Sequence, residues 1–230
     1  MEYLPNGFTL KLSPEAFPLS TDSMVLSHFA KIHRNARVLD LGSGCGTLGL
    51  LLCSRNDTCH VTGMELNENA HAAALDNIRR NGLDARMDSL CADLRSVSEK
   101  FPPGQFSCCI SNPPYFSGGP ASLNHPTARR EDFCNPDDLF KSASWALKYG
   151  GDFFLVHKPE RMAELIAKAA PYKLEAKRLL LLRHRENGPI ALIFLHFRKG
   201  ANPGLQMEER ALHTADNLQT PYYKEVYHID

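Results

Sequence analysis

Arg37-Val-Leu-Asp-Leu-Gly-Ser-Gly-Cys-Gly-Thr47 decides how this chain folds. Arg37-Val-Leu-Asp-Leu41 is an apolar run with the length of a buried strand, and a helix opens after the glycines, over Thr47 to Ser54. Glycines let a chain turn sharply and approach a ligand closely, while a helix start leaves N–H groups free. Outward from this unit the alternation repeats. Cys59 to Glu65 reads as a second strand, Asn67 caps a helix running to about Arg80, and Asn81-Gly82 ends it. Ala85 to Cys91, Phe106 to Ser111 and Gly151 to His157 come next as strands, the last preceded by a helix over Asp137 to Lys148. Strands alternating with helices imply a mostly parallel sheet covered on both faces.

The C-terminal part departs from that rhythm. Leu174 to Arg183 and Ile190 to Arg198 flank the turn Arg185-Glu-Asn-Gly-Pro189. No helix fits between them, so they should pair as an antiparallel hairpin. The expectation is an α/β fold, a mostly parallel seven-stranded sheet ending in that hairpin. It forms one domain over 1–230, with 1–36 as a lead-in and 201–230 as a tail of little periodicity.

Composition excludes several classes. A 43% hydrophobic and 23% charged make-up is that of a globular domain with a real core. Lys plus Arg equals Asp plus Glu at 26 each, so any nucleic-acid partner must meet a local basic face. The seven cysteines contain no Cys-x-x-Cys pair, and read as packed thiols of a reducing compartment with neither a disulfide framework nor a zinc site. Met-Glu-Tyr-Leu-Pro5 lacks the basic start of a signal peptide. No apolar stretch reaches the ~18 residues of a membrane span, and a cytoplasmic protein is expected.

The glycine loop, Asp40-Leu-Gly42-Ser-Gly44-Cys-Gly46, sits where a parallel sheet binds ligands. Glu65 and Leu66 end the second strand, where a carboxylate can accept both hydroxyls of a ribose. Asp93 and Leu94 come after the third strand, placed to meet the amine or ring of an adenine. Together these describe a nucleoside site. Two ligands compete for it, because Gly44-Cys-Gly46-Thr-Leu-Gly49 with Glu65 also satisfies the dinucleotide fingerprint of a nicotinamide-dependent oxidoreductase. Asp40 favours a ligand carrying an ammonium, since an anion there would repel a pyrophosphate.

Asn112-Pro113-Pro114-Tyr115 comes directly after the fourth strand. Two prolines stiffen the loop, so the Asn112 side chain and the Pro113 carbonyl can be fixed acceptors for the two hydrogens of a planar NH₂. Such an amine is a poor nucleophile, and holding it this way orients its lone pair for attack. Tyr115 or Phe116 can stack on the ring that carries it. The bland reading is a strand-ending turn.

With these residues the chain resembles the Asn-Pro-Pro-Tyr amino methyltransferases of class I, Rossmann-like in fold. It is most similar to the bacterial family that methylates N6 of an adenine beside the anticodon of valine tRNA. Leu19-Ser-Thr-Asp22-Ser-Met-Val-Leu26 looks like that family's segment before the glycine loop, and Thr127-Ala-Arg129-Arg130-Glu131 like its stretch after the catalytic loop. Arg198-Lys-Gly200 and Tyr223-Lys-Glu-Val226 look like its ending. The resemblance implies S-adenosyl-L-methionine as cofactor, held by Asp22, Asp40, Gly42, Gly44, Gly46, Glu65, Leu66, Asp93, Leu94 and Asn112. It implies Asn112, Pro113, Pro114 and Tyr115 as the catalytic loop, and tRNA as the partner, met by Tyr115, Phe116, Arg129 and Arg130. Asp22 has a competing role as N-cap of a helix over Ser23 to Lys31. Release-factor glutamine and the N2 of an rRNA guanine are alternative acceptors for the same loop.

Other features carry less. Lys173, Lys177, Arg178, Arg183, Arg185, Arg198 and Lys199 crowd the terminal hairpin, where a solvated charged edge is the simplest reading. His125, His157, His184 and His196 lack metal-ligand spacing, no metal is expected, and Trp145 reads as core.

Overall fold

A computed structural model describes residues 1–4, 7–13, 19–113 and 135–228. A short ribbon, β1 (Glu2–Tyr3) and β2 (Thr9–Leu10), precedes α1 (Thr21–Phe29). Then come β3 (Arg37–Leu41), α2 (Thr47–Arg55), β4 (His60–Glu65), α3 (Glu68–Arg80), β5 (Met87–Cys91), the single turn α4 (Val97–Lys100) and β6 (Phe106–Ser111). The chain continues as α5 (Pro136–Ala146), β7 (Leu147–His157), α6 (Met162–Ala169), β8 (Leu174–Arg185), β9 (Ile190–Lys199), β10 (Gln206–His213) and α7 (Pro221–Tyr227).

The large sheet has the order β10-β8-β9-β7-β6-β3-β4-β5. Every neighbour pair is parallel except β9, which runs antiparallel to both β7 and β8. The order reverses between β3 and β6, where the crossovers leave to opposite sides, and that gap is the natural ligand crevice. The central strands are apolar on both faces because both are covered. Val38, Ile110, Phe154 and Phe194 face one core with α1 and α2, while their neighbours Leu39, Cys109, Phe153 and Ile193 face the other with α5. Successive side chains of a strand point to opposite faces, so one continuous apolar run feeds two cores.

The expected parallel sheet and hairpin are present, with one strand more than the seven counted. The tail is not a tail. Residues 206–213 add β10 beside β8, and Thr220 caps α7 by accepting from the Tyr223 N–H at 3.1 Å. β10 escaped the pattern because Leu212 is its one buried side chain, the strand being held to β8 by a parallel backbone ladder. Arg178 pairs with Glu208 at 3.0 Å and Arg183 with Glu209 at 2.7 Å. β8 is therefore not the edge of the sheet, and two of its arginines, Arg178 and Arg183, are matched to carboxylates of β10. Helix α6, which no sequence signal was assigned to, carries the chain from β7 to β8. Trp145 is 39% exposed rather than core, and its indole N–H donates to the Phe101 carbonyl at 2.9 Å. No described helix is long and apolar enough to cross a membrane.

Candidate functional site

Parallel pairing brings the C-terminal ends of β3, β4, β5, β6 and β7 to one edge of the sheet. The glycine loop turns there. Gly42 and Gly44 have φ of 75° and 55°, a region closed to most side chains, and a Cβ on either would meet no heavy atom within 4 Å. Space thus lies open directly over the backbone. The Gly42 and Ser43 N–H groups donate to the Met64 carbonyl at 2.9 and 3.0 Å, locking the loop to the end of β4. Gly49 has another duty, for a Cβ there would stand 2.4 Å from Cε of Met87. It lets α2 lie close on the sheet, a packing role that carries no information about a pyrophosphate.

Glu65 fastens the loop from below. One carboxylate oxygen accepts from the Gly44 N–H at 2.7 Å and the other from the Asn67 N–H at 2.8 Å. Its neighbour Leu66 is 46% exposed. Asp40 stands under the loop on β3, fully buried, and neither of its oxygens has a hydrogen-bond partner among the described residues. Burial, reinforced by the charge of Glu65, raises its pKa from 3.8 to about 8. A buried carboxyl without a donor is costly, and it marks a place where a donor or cation belongs.

Asp93 caps the short turn after β5. It accepts from the Arg95 backbone N–H at 2.8 Å and from Nε of Arg95 at 2.9 Å, and this hydrogen bonding lowers its pKa. Leu94 packs towards the core, with its carbonyl accepting from the Ser142 hydroxyl at 2.9 Å.

Asn112 and Pro113 directly follow β6, with Pro113 buried and Asn112 half-buried. Ser111 anchors the strand end, its hydroxyl donating to the Leu41 carbonyl at 2.7 Å. The Asn112 side-chain NH₂ donates to Oγ of Ser23 at 3.1 Å, which ties the loop to the first turn of α1. Asp22 does not cap α1. Ser20 does, since its Oγ accepts the Ser23 N–H at 3.4 Å and a residue two places into the helix cannot reach that position. Asp22 lies instead on the first turn, its pKa raised by burial and held back by Lys158 and by His184 of the β8–β9 hairpin. Ser23 thus borders the site through Asn112, Lys158 and His184 act electrostatically on Asp22, and no sequence signal singles out Ser23 or Lys158. The run Ser20-Thr-Asp-Ser23 held the clue, because a capping serine fixes the register of its helix.

Pro114, Tyr115, Phe116, Arg129 and Arg130 lie outside the described residues. The described residues bring together Asp22, Asp40, Gly42, Gly44, Gly46, Glu65, Asn112 and Pro113. They hold no cluster of three or more His, Cys, Asp or Glu that could bind a metal. Of the hairpin cations, Lys177 donates to the Asn202 carbonyl at 2.9 Å and Arg198 to Asp152 at 2.8 Å.

Residues 20–170 match the model of the methyltransferase small domain family. The tRNA1(Val) (adenine(37)-N6)-methyltransferase of Shewanella halifaxensis is 30% identical over 181 residues, covering 76% of this chain and 73% of that protein. The enzyme of the same name from Actinobacillus pleuropneumoniae is 26% identical over 215 residues, 92% of this chain and 89% of its own. In structure, a predicted O-methyltransferase from Agrobacterium tumefaciens superposes with a TM-score of 0.75 at 22% identity, over 90% of this chain and 96% of its own.

Proposed function

This chain belongs to the methyltransferase small domain family of class I methyltransferases, and we propose that it methylates N6 of an adenine in tRNA. The preferred position in this reading is the anticodon-adjacent adenine of valine tRNA, modified in the cytoplasm. The observation that carries the reading is the placement of Asn112 and Pro113 at the crevice, beside a glycine loop that overlies a buried Asp40 with no hydrogen-bond partner among the described residues.

S-adenosylmethionine is the cofactor, and the residues present fit it. Asp40 offers a buried anion to an ammonium. Gly42 and Gly44 leave the space over the loop that a side chain would fill. Glu65 keeps further lone pairs for ribose hydroxyls beyond the two that its amide contacts use. Asp93 retains some of the same capacity beside Arg95. When bound, the cofactor supplies a methyl group already activated on a sulfonium.

The protein's part is then to bind and orient the acceptor. The nitrogen of adenine N6 is planar, with its lone pair drawn into the ring. Acceptors at Asn112 and the Pro113 carbonyl take its two hydrogens and turn the lone pair out of the plane. Tyr115 and Phe116 supply stacking faces, and Arg129 and Arg130 meet phosphates, which position RNA without reading sequence. A loop adenine suits this arrangement, since it can be splayed out at modest cost.

Methyl transfer from labelled cofactor to unmodified total tRNA, followed by nucleoside mass spectrometry, tests the reading. N6-methyladenosine confined to valine tRNA supports it. Label in ribosomal RNA guanine or in protein glutamine, with none in tRNA, rejects the acceptor and leaves the family unchanged.

A further inference from the structure

We propose that Ser23 is a positioning residue that sets which end of the Asn112 amide faces the acceptor amine. The inference rests on the reading of Asn112 given above. An asparagine side chain has two ends of similar shape and opposite hydrogen-bonding character. If the NH₂ end faced an incoming amine, two donors would meet and the nitrogen would be repelled. The function of Asn112 therefore requires something to hold the NH₂ away.

Ser23 does this. It is 7% exposed, and its Oγ accepts the Asn112 NH₂ at 3.1 Å. With that end engaged on α1, the carbonyl Oδ1 is the end left for the crevice. Ser23 can act as a fixed point because α1 is held at its start. The Ser23 N–H and the Met24 N–H both bind Ser20, at 3.4 and 3.2 Å. The Thr21 hydroxyl meets the Tyr227 hydroxyl at 3.2 Å, so α7 braces the same turn. Met24, Val25 and Leu26 anchor the helix in the core. Pro113 limits the backbone freedom of Asn112 from the other side. Only the amide's rotation remains to be fixed, and one hydroxyl fixes it.

The test compares Ser23→Ala in two backgrounds. In the natural chain, kcat for the accepted RNA should fall roughly tenfold, about the weight of one neutral hydrogen bond. The KM for cofactor should stay where it was, and Ser23→Thr, which keeps a hydroxyl, should recover part of the loss. In an Asn112→Asp background both ends of the side chain are oxygens, so there is nothing left to orient. There Ser23→Ala should change kcat less than about twofold. Equal losses in both backgrounds, or no loss in the first, overturn the proposal. A readout independent of any acceptor comes from the free protein labelled with ¹⁵N-asparagine. The Asn112 side-chain resonances, assigned by their disappearance in Asn112→Asp, should shift and exchange faster in Ser23→Ala. Unchanged resonances reject the role of Ser23 whatever RNA is methylated. Absence of transfer by the natural chain rejects the reading of the acceptor alone.

Discussion

Binding of S-adenosylmethionine should expel a proton from Asp40. In the free protein this carboxyl is fully buried without a hydrogen-bond partner among the described residues, and its pKa stands at about 8. At pH 6.5 it is protonated, and ionising it costs about 2 kcal/mol for one and a half pH units. A bound ammonium stabilises the carboxylate, so the proton leaves as the ligand arrives. Affinity should therefore improve about tenfold per pH unit below 8, an accumulated factor of about thirty from pH 6.5. The amine of the ligand itself loses its proton near 8, so tightest binding falls close to that value. Calorimetry at pH 6.5 in two buffers of different ionisation enthalpy should count close to one proton released per cofactor bound. Asp40→Asn should release none, and its affinity should not change with pH below the range in which the ligand's amine titrates. The stability of the free protein gives a second check. The folded pKa lies above the ordinary 3.8, so between these values the folded state holds the extra proton, and stability falls as pH rises. Asp40→Asn should remove that part of the decline. Zero proton release by the natural chain, with a dissociation constant flat from pH 6 to 7.5, would refute the reasoning.

The same geometry sets three further outcomes. Asn112→Ala should abolish turnover while cofactor affinity, measured by calorimetry, stays within about twofold; joint loss of both would mean that the loop only holds the cofactor pocket together. Glu65→Ala removes the acceptor of the Gly44 and Asn67 N–H groups and should weaken the cofactor by about 1–3 kcal/mol, whereas unchanged affinity makes Glu65 purely structural. Gly63→Ala would set a Cβ 2.5 Å from Oγ and 2.8 Å from Cβ of Ser43, so the glycine loop must shift. Cofactor affinity should fall there by more than the drop in Tm explains, and a Tm loss with normal affinity would show that the loop is indifferent to Ser43.

Legible in the sequence was whatever one strand and its adjoining turn decide locally. Arg37–Leu41 and Phe106–Ser111 emerge with their expected bounds because a run buried on both faces has no polar ambiguity. Asn67 and its helix are readable from a capping side chain three residues from its partner. β10 was illegible for the opposite reason: Gln206-Met-Glu-Glu-Arg-Ala-Leu-His213 has little apolar period, and its partner is the distant strand segment Arg178 to Arg185. Thr220-Pro221, a cap followed by the residue best suited to a first helical position, was the one local sign that the chain's end folds. The site divides along the same line. The glycines and Asn112 announce themselves as motifs, but Glu65 binding Gly44 and Ser23 binding Asn112 are contacts across 21 and 89 residues. Which atom of a motif faces the crevice is decided by those distant partners. A motif can therefore name the chemistry of this crevice, while its geometry is the property of α1, β4 and the C-terminal helix that brace it.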